Sequence, residues 1–162
     1  MKKIRLAAVS AIAALIAGAG LVFPASAQAA STYWTFQNAH WQTCLTAGDS
    51  GTAYTTSCVG STRQQWDWVG SSGNFKQLKN RNTGLCLMTD NKTNTNAVWM
   101  STCNGSAGQW WYYEALTQSL FDDLGGDNDG FLRTSPTVKD AVYATDGGQE
   151  DLSYYQWTGT HD

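Results

Sequence analysis

One sequence pattern recurs three times in this chain, and this repetition limits the folds that the chain can adopt. Residues 84–111 contain two short apolar runs, each with a cysteine, a Thr- and Asn-rich loop between them, and a closing tryptophan. Residues 43–66 carry the same pattern, and residues 130–157 carry a looser version of it. The closing tryptophans, Trp66, Trp111 and Trp157, stand 45 and 46 residues apart. A fixed period in this range is typical of a repeat architecture, in which one unit cannot bury its apolar face alone.

The three copies are predicted to consist of short β-strands. After residue 30, apolar residues alternate or form short clusters bounded by Gly, Asn, Asp, Ser and Thr, and they do not follow helical spacing. A Gly-Ser-Ser-Gly-Asn run at 70–74 predicts a hairpin turn. Many short strands with a periodic aromatic motif favour a closed or radially repeated all-β fold, here with threefold pseudosymmetry. We place unit 1 at 33–70, unit 2 at 74–115 and unit 3 at 120–162.

The first 29 residues are interpreted as a secretory signal peptide. They begin with a basic stretch, continue with an Ala-rich apolar run over 6–22, and end in a small-x-small sequence at 25–27. These features together indicate a cleavable signal. The alternative, a membrane anchor, needs about 20 apolar residues, whereas this run is short and broken by glycines. We therefore expect a secreted, extracellular protein whose single domain covers 30–162.

The charge of the chain argues against nucleic acid and membranes as partners after signal cleavage. Of the 10 basic residues three lie in the first 29, so seven remain against 13 acidic residues. A surface of this sign does not attract polyanions or anionic lipid. Nine of the acids lie at or after Asp122, so unit 3 is the most acidic.

Secretion permits disulfide bonds, and the repeat selects among the three pairings that four cysteines allow. Cys44 and Cys58 occupy the places in unit 1 that Cys86 and Cys103 occupy in unit 2. Each pair is therefore predicted to bridge its own unit, and a bridge around a loop of about 15 residues contributes about 3 kcal/mol. The alternative, one zinc ion held by all four thiolates, lacks the usual C-x2-C spacing. No metal and no cofactor is predicted.

The closing motifs give the repeat a family resemblance. Gln64-x-Trp66 and Gln109-x-Trp111, each after a pair of cysteines, resemble the Q-x-W signature of ricin-type β-trefoil lectins. The resemblance extends over nearly all of the chain after residue 30. It implies an all-β trefoil, a barrel of six strands capped by three hairpins, with a degenerate third repeat. It also implies shallow sugar sites on the outside, at most one in each unit.

Several residues are assigned to the interior of this fold. Trp66, Trp111 and Trp157 are expected in a shared core, since an aromatic side chain of this size buries about 150–250 Å2. Gln64 and Gln109 are expected to bond backbone groups, because buried polar atoms need partners. Equivalent places are assigned to Phe36, Leu78 and Leu124 and, after the first cysteine position, to Leu45, Leu87 and Arg133.

Unit 3 and the sugar positions depart from the family pattern. In unit 3, Tyr155 replaces the motif glutamine, and Leu132 and Gly147 occupy the two cysteine positions. Galactose-binding members of the family use an Asp two residues after the first cysteine, an aromatic two before the second, and an Asn directly before Q-x-W. In the three units the first place holds Thr46, Met88 and Thr134, the second Thr56, Ser101 and Thr145, and the third Arg63, Gly108 and Tyr154. The usual sugar set is missing from all three.

Three other aromatic residues are the candidates for sugar binding. Tyr54, Trp99 and Tyr143 each stand four residues before the second cysteine position. Because residues two apart on a strand share a face, each ring stays on the side that the family uses for its ligand. Such a site also needs a few polar groups, and the acceptors assigned are Asp49, Asp90, Asn96 and Asp140. The alternative is that the three rings are ordinary packing beneath a hairpin.

Other residues offer weaker candidates for function. The two histidines, His40 and His161, are not accompanied by a nucleophile motif such as G-x-S-x-G, and no spacing singles out catalytic carboxylates. The acidic run 122–130 has carboxylates suited to calcium, but it does not match the EF-hand loop, so a solvated turn is favoured. Trp41 and Trp68 are expected at the surface, where an aromatic cluster marks a binding patch.

The sequence therefore predicts a secreted, non-enzymatic, carbohydrate-binding module whose partner is a glycan or polysaccharide. The alternative is a trefoil scaffold that has lost sugar binding and uses its acidic third unit to bind or inhibit another protein. The missing family sugar set favours this alternative, whereas the three recurring aromatics favour sugar binding.

Overall fold

A computed structural model describes residues 32–90, 92–124, 130–147 and 151–162. The predicted signal peptide and most of the acidic run 122–130 lie outside these ranges. Within them, twelve β-strands carry the fold, and the helical segments are two short 3₁₀ turns, Thr62–Gln64 and Leu152–Tyr154. In the same ranges no helix has the length and apolar character needed to cross a membrane.

The strands fall into three groups of four, one group in each unit. Unit 1 contains β1 (Trp34–Asn38), β2 (Thr43–Ala47), β3 (Ala53–Ser57) and β4 (Trp66–Ser72). Unit 2 contains β5 (Phe75–Asn80), β6 (Cys86–Thr89), β7 (Thr95–Ser101) and β8 (Trp111–Glu114). Unit 3 contains β9 (Ser119–Asp122), β10 (Phe131–Thr134), β11 (Val142–Thr145) and β12 (Trp157–His161). The predicted hairpin at 70–74 is the turn between β4 and β5.

Six of the strands form a barrel and the other six form hairpins. In the barrel, β1 pairs with β12 and with β4, β4 with β5, β5 with β8, and β8 with β9, all antiparallel. The hairpins are β2–β3, β6–β7 and β10–β11. Two of these hairpins, β6–β7 and β10–β11, are joined by the pairing of β7 with β11. This arrangement is a β-trefoil, and the predicted fold class is confirmed.

Three indoles and three smaller side chains fill the centre of the barrel. Trp66, Trp111 and Trp157 are all fully buried, and at about 25 cal/mol per Å2 each contributes about 4 kcal/mol or more of burial free energy. Their indole N–H groups donate to the carbonyls of Leu45 at 3.2 Å, Leu87 at 3.0 Å and Leu132 at 2.9 Å. Phe36, Leu78 and Leu120 complete this layer at 0% exposure. The assignment of Leu124 was therefore wrong, because β9 places Leu120 there and ends before Leu124.

The disulfides Cys44–Cys58 and Cys86–Cys103 are formed as predicted. In unit 3 the first cysteine position was assigned one residue too late. The strand register aligns Phe131 with Cys44 and Cys86, because these three face Thr145, Thr56 and Ser101. Leu132 is thus the counterpart of Leu45 and Leu87. Arg133, not Thr134, is the counterpart of Thr46 and Met88.

The ring of Phe131 fills the space that a disulfide fills in the other units. Gly147 holds the second cysteine position, and a Cβ atom added there would lie 2.9 Å from the Phe131 ring. Only glycine lets the ring lie this close. An aromatic contact therefore replaces the covalent bond in unit 3.

A repeated turn that the sequence analysis missed follows the first strand of each unit. Asn38 and Asn80 are fully buried, and each Oδ1 accepts backbone N–H groups two and three residues ahead, at 3.1–3.2 Å. The Nδ2 group of each donates to carbonyls of the preceding unit in the circular order, around one of the 3₁₀ turns. In unit 3, Asp122 Oδ1 accepts from Leu124 N at 2.8 Å. The side chains of Asn38 and Asn80 therefore join neighbouring units.

Candidate functional site

The three candidate aromatics occupy equivalent places on the hairpins. Across each hairpin, Tyr54 faces Thr46, Trp99 faces Met88 and Tyr143 faces Arg133. All three rings are half-buried. Since the residues opposite them differ in size and charge, the three places differ in chemistry and are described separately.

In unit 1, the predicted acceptor Asp49 is held by an arginine. Arg63 Nη2 lies 2.5 Å from Asp49 Oδ2, and Arg63 Nη1 donates to the carbonyl of Ala47 at 3.4 Å. The hydrogen bond from Arg63 holds the pKa of Asp49 below its ordinary value. Arg63 stands directly before the Q-x-W motif, where the family has Asn. An ion pair therefore occupies the edge of the unit 1 site.

A cavity of about 300 Å3 lies between unit 1 and unit 3, and we name it the inter-unit cleft. Its lining includes Tyr54, Thr56 and Ser57 from β3, with Lys139 and Asp140 from the loop between β10 and β11. Backbone contacts fix the two segments: Thr55 N donates to Asp140 O at 2.9 Å and Thr55 Oγ1 donates to Lys139 O at 2.8 Å. The predicted acceptor Asp140 thus lines the same cavity as Tyr54 of unit 1, whereas Tyr143 of its own unit is not in that lining.

Thr43 also lines the inter-unit cleft and is 2% exposed. Among the residues that the structure describes, its Oγ1 has no hydrogen-bond partner. A buried hydroxyl without a partner costs about 1–3 kcal/mol, so it normally marks a place where water or another group completes the bonding.

In unit 2, Trp99 lies beside the β2–β3 turn of unit 1. Thr52 forms a backbone bridge with Trp99, and Met100 N donates to Gly51 O at 2.8 Å. Asp90 forms an ion pair with Lys92 at 3.0 Å, at the surface. The backbone of Trp99 therefore contacts the unit 1 turn, and an ion pair lies on the same hairpin as Trp99.

Asn96 is placed differently from the prediction. It is 3% exposed, its Oδ1 accepts from Thr93 N at 2.7 Å, and its Nδ2 donates to the carbonyl of Thr93. The amide holds the loop before β7, so Asn96 is left out of the sites proposed below. Gly108, at the family's Asn place, has φ +84°, and a Cβ there would collide with the carbonyl of Thr89.

In unit 3, an arginine side chain fills the place beside the aromatic. Arg133 is 8% exposed, and its guanidinium carbon lies 5.6 Å from the centre of the Tyr143 ring. Arg133 Nε donates to Thr145 Oγ1 at 3.2 Å, and Thr145 Oγ1 donates to Tyr155 Oη at 3.4 Å. In unit 3, contacts among Arg133, Thr145 and Tyr155 thus occupy the place beside the aromatic ring.

The motif glutamines organise the loops before them. Gln64 Nε2 donates to Ser57 O at 2.9 Å, and its Oε1 accepts from Val59 N at 2.8 Å. Gln109 Nε2 donates to Thr102 O at 2.8 Å in the same manner. These bonds position the chain after the second cysteine of each bridged unit.

The remaining candidates do not form a second surface cluster. Trp41 is half-buried and its indole N–H donates to Ser135 O at 2.8 Å, whereas Trp68 packs against Trp34, with ring centres 6.5 Å apart. The two tryptophans therefore do not make the predicted joint patch.

His40 Nδ1 lies 3.0 Å from Ser153 Oγ. The nearby Asp151 accepts from Ser153 N at 2.9 Å, and this bond lowers the pKa of Asp151. The carboxylate therefore caps the 3₁₀ turn, as an N-cap does. In the described ranges no group of three or more His, Cys, Asp or Glu side chains could hold a metal ion.

Comparisons with known proteins agree with this architecture. The family model described as "Ricin-type beta-trefoil lectin domain-like" matches residues 22–98, which confirms the resemblance given by the Q-x-W motifs. Among solved structures, the chain is similar to the designed threefold-symmetric protein ThreeFoil, with a TM-score of 0.66 and 18% identity over 78% of this chain and 96% of that one. At that identity the likeness concerns the fold alone. A search of curated proteins found no match.

Proposed function

We propose that this ricin-type lectin-like β-trefoil domain is a secreted, non-catalytic module that binds carbohydrate. The inter-unit cleft is the observation that carries the proposal. It brings Tyr54, two neighbouring hydroxyl-bearing residues, Lys139 and Asp140 around one cavity of about 300 Å3. A ring for stacking and a few convergent polar groups are what a sugar site requires.

The roles within the cleft follow from the chemistry of the groups. The half-buried ring of Tyr54 offers a face to the C–H side of a pyranose. Asp140 accepts hydrogen bonds from vicinal hydroxyls, while Lys139 donates to ring or hydroxyl oxygens. Because both charged residues lie in an exposed loop of unit 3, the cleft is open and its affinity for one sugar is expected to be weak.

Trp99 in unit 2 is proposed as a second, independent contact. Its half-buried indole lies on another hairpin, which also carries the Asp90–Lys92 ion pair. Two weak sites on one rigid body raise the avidity for a polysaccharide without any new contact. Unit 3 is not proposed as a third site, because Arg133 fills the place beside Tyr143.

A glycan array on the protein lacking residues 1–29 tests the proposal. We expect binding by the wild type, and a loss of about tenfold or more when Tyr54→Ala or Asp140→Asn removes a central contact of the cleft. Trp99→Ala should lower binding to polymers more than to monosaccharides. Tyr33→Ala is the matched control, since the Tyr33 ring packs on Arg81 at 3.3 Å and is not part of the cleft. An array on which Tyr54→Ala binds as well as wild type contradicts the proposed site.

The alternative proposal is a protein partner for unit 3. The burial of Arg133 against Tyr143 favours it for this unit, because the side chain takes the place of a ligand. Exposed acids such as Asp123, Asp140 and Asp151 give the unit a negative surface. A pull-down from culture supernatant, repeated with Asp123→Asn and Asp151→Asn together, tests this: capture that these changes abolish, with an empty glycan array, favours the protein partner.

A further inference from the structure

One layer of the barrel, next to the core layer, does not keep the threefold pattern. Two residues before the core positions of β1, β5 and β9 stand Trp34, Lys76 and Gln118. Two residues after the core tryptophans stand Trp68, Tyr113 and Gly159. Since residues two apart share a face of a strand, these six positions form the layer next to the core, which we name the barrel mouth. Its aromatic members come from unit 1 and unit 2.

The aromatic wall of the barrel mouth is fixed in place. Tyr113 Oη donates to Trp157 O at 3.0 Å and accepts from Gly159 N at 2.9 Å. A Cβ atom at residue 159 would lie 2.9 Å from the Tyr113 ring, so the tyrosine lies across the place of a missing side chain. Trp34 packs against Tyr113 and Trp68 with ring centres 5.7 and 6.5 Å apart. The wall is therefore preorganised.

Beside these rings lies a cavity of about 230 Å3, whose lining also includes Asn74, Lys76, Trp111 and Tyr112. Trp34, Trp68 and Tyr113 are half-buried and packed on the core, whereas Lys76 and Asn74 are exposed. In the ranges that the structure describes, the ion pairs join Arg63 to Asp49 and Lys92 to Asp90. No described carboxylate lies within 4.0 Å of Lys76. The cavity thus combines aromatic side chains with a lysine that forms no ion pair in these ranges.

We propose that the barrel mouth binds a six-membered ring that carries a carboxylate. The size of the cavity suits a single six-membered ring, the aromatic side chains contact that ring, and the ammonium of Lys76 pairs with the carboxylate. Asn74 supplies an amide for a further hydrogen bond. Two sources share this chemistry: a uronic acid residue of an acidic polysaccharide, and a free aromatic acid. The site is separate from the inter-unit cleft and does not depend on the sugar proposal.

The tryptophan indoles give each region its own signal in an NMR titration. Five of the eight indole N–H groups donate to backbone carbonyls, namely those of Trp41, Trp66, Trp110, Trp111 and Trp157. The other three belong to Trp34 and Trp68 at the barrel mouth and to Trp99 on the hairpins. Their resonances are assigned with Trp→Phe variants. The probes are glucuronate and benzoate, each paired with its uncharged match, glucose and benzyl alcohol.

We expect a carboxylate probe to shift the indole signals of Trp34 and Trp68 and to leave that of Trp99 in place. Lys76→Gln should weaken this binding by about tenfold or more, the loss of one charge-assisted contact. Lys79→Gln is the matched control. Lys79 lies on the same strand, three residues from Lys76 and so on the other face, where it is the cross-strand partner of Asp67 in β4. Higher salt should weaken binding by the wild type and affect Lys76→Gln less.

The outcomes separate the sources and can overturn the proposal. Shifts with glucuronate alone identify the sugar acid, and shifts with benzoate alone identify the aromatic acid; both support the site. The proposal is overturned if neither probe moves Trp34 or Trp68, if the uncharged matches bind equally well, or if Lys76→Gln binds as tightly as wild type. A shift confined to Trp99 also overturns it, while supporting the hairpin site.

Discussion

The hairpins β6–β7 and β10–β11 hold equivalent places in two units but are closed in different ways. In unit 2 the disulfide Cys86–Cys103 joins the strands. In unit 3 the ring of Phe131 lies against the backbone of Gly147 at the same two positions. The comparison teaches that the same space is filled in every unit, by a disulfide in units 1 and 2 and by an aromatic ring in unit 3.

Of the changes that test this comparison, removing the disulfide of unit 2 should lower the free energy of unfolding the most. The double change Cys86→Ser and Cys103→Ser should lower the free energy of unfolding by about 3 kcal/mol, since the bond closes a loop of 17 residues. Urea unfolding followed by tryptophan fluorescence measures it. Backbone amide hydrogen exchange should become faster in β6–β7 and stay unchanged in β10–β11. An equal loss of protection in both hairpins would contradict the idea that each hairpin is held closed by its own disulfide or ring.

A smaller effect is expected when the glycine of unit 3 gains one carbon. Gly147→Ala places a Cβ atom 2.9 Å from the Phe131 ring, and displacing the ring should cost about 1–3 kcal/mol. Thermal or urea unfolding measures the change. In the background of Phe131→Leu the same substitution should cost clearly less, because the clash is gone. A cost that is unchanged in that background would show that the ring is not the cause.

The smallest effect concerns the two arginines near the candidate rings. Arg133 of unit 3 is buried, whereas Arg63 of unit 1 pairs with Asp49 at the surface. Arg63→Gln should return the pKa of Asp49 upward to its ordinary range, because the hydrogen bond that lowers it is lost. Carbon NMR of the Asp49 carboxyl measures the shift.

The sign of the pH effect follows from the lowered pKa of Asp49. A carboxylate with a depressed folded pKa stabilises the protein above its unfolded pKa, and this contribution disappears as the pH falls through the folded pKa. Since the pair is exposed to solvent, the melting temperature at neutral pH should be nearly unchanged in Arg63→Gln. A marked loss at neutral pH would mean that Arg63 holds the fold through Ala47 O instead.

Much of the fold could be predicted because its signals are repeated in the sequence. The closing tryptophans and the four cysteines mark equivalent places, so the threefold repeat, both bridges and the core indoles follow from their spacing, and the Q-x-W resemblance implies the trefoil. In unit 3 the cysteines are absent, and without them the register was assigned one residue late, at Leu132 in place of Phe131. Leu124 was misplaced for a similar reason, since no closing signal marks the end of β9.

The candidate site was less predictable, because it depends on contacts between units. Tyr54 and Asp140 are 86 residues apart in the chain, and only the meeting of β3 with the β10–β11 loop brings them to one cleft. The burial of Arg133 and of Asn96 depends on neighbouring strands in the same way. The turn made by Asn38 and Asn80 left a readable signal, an Asn two residues after each core residue of β1 and β5, which the sequence analysis did not use.

The pairing of β1 with β12 has a consequence for how this protein can be rearranged. The two strands are in register from Trp34 with His161 to Asn38 with Trp157, and Asp162 N donates to Tyr33 O at 3.3 Å. The ends of the described domain are thus neighbours, and a short linker could join them. A circular permutant opened at the exposed Gly73 would keep all strand pairs, and only the covalent order of the units would differ. The strand pairing of the three units, and not the position of the chain termini, determines the fold.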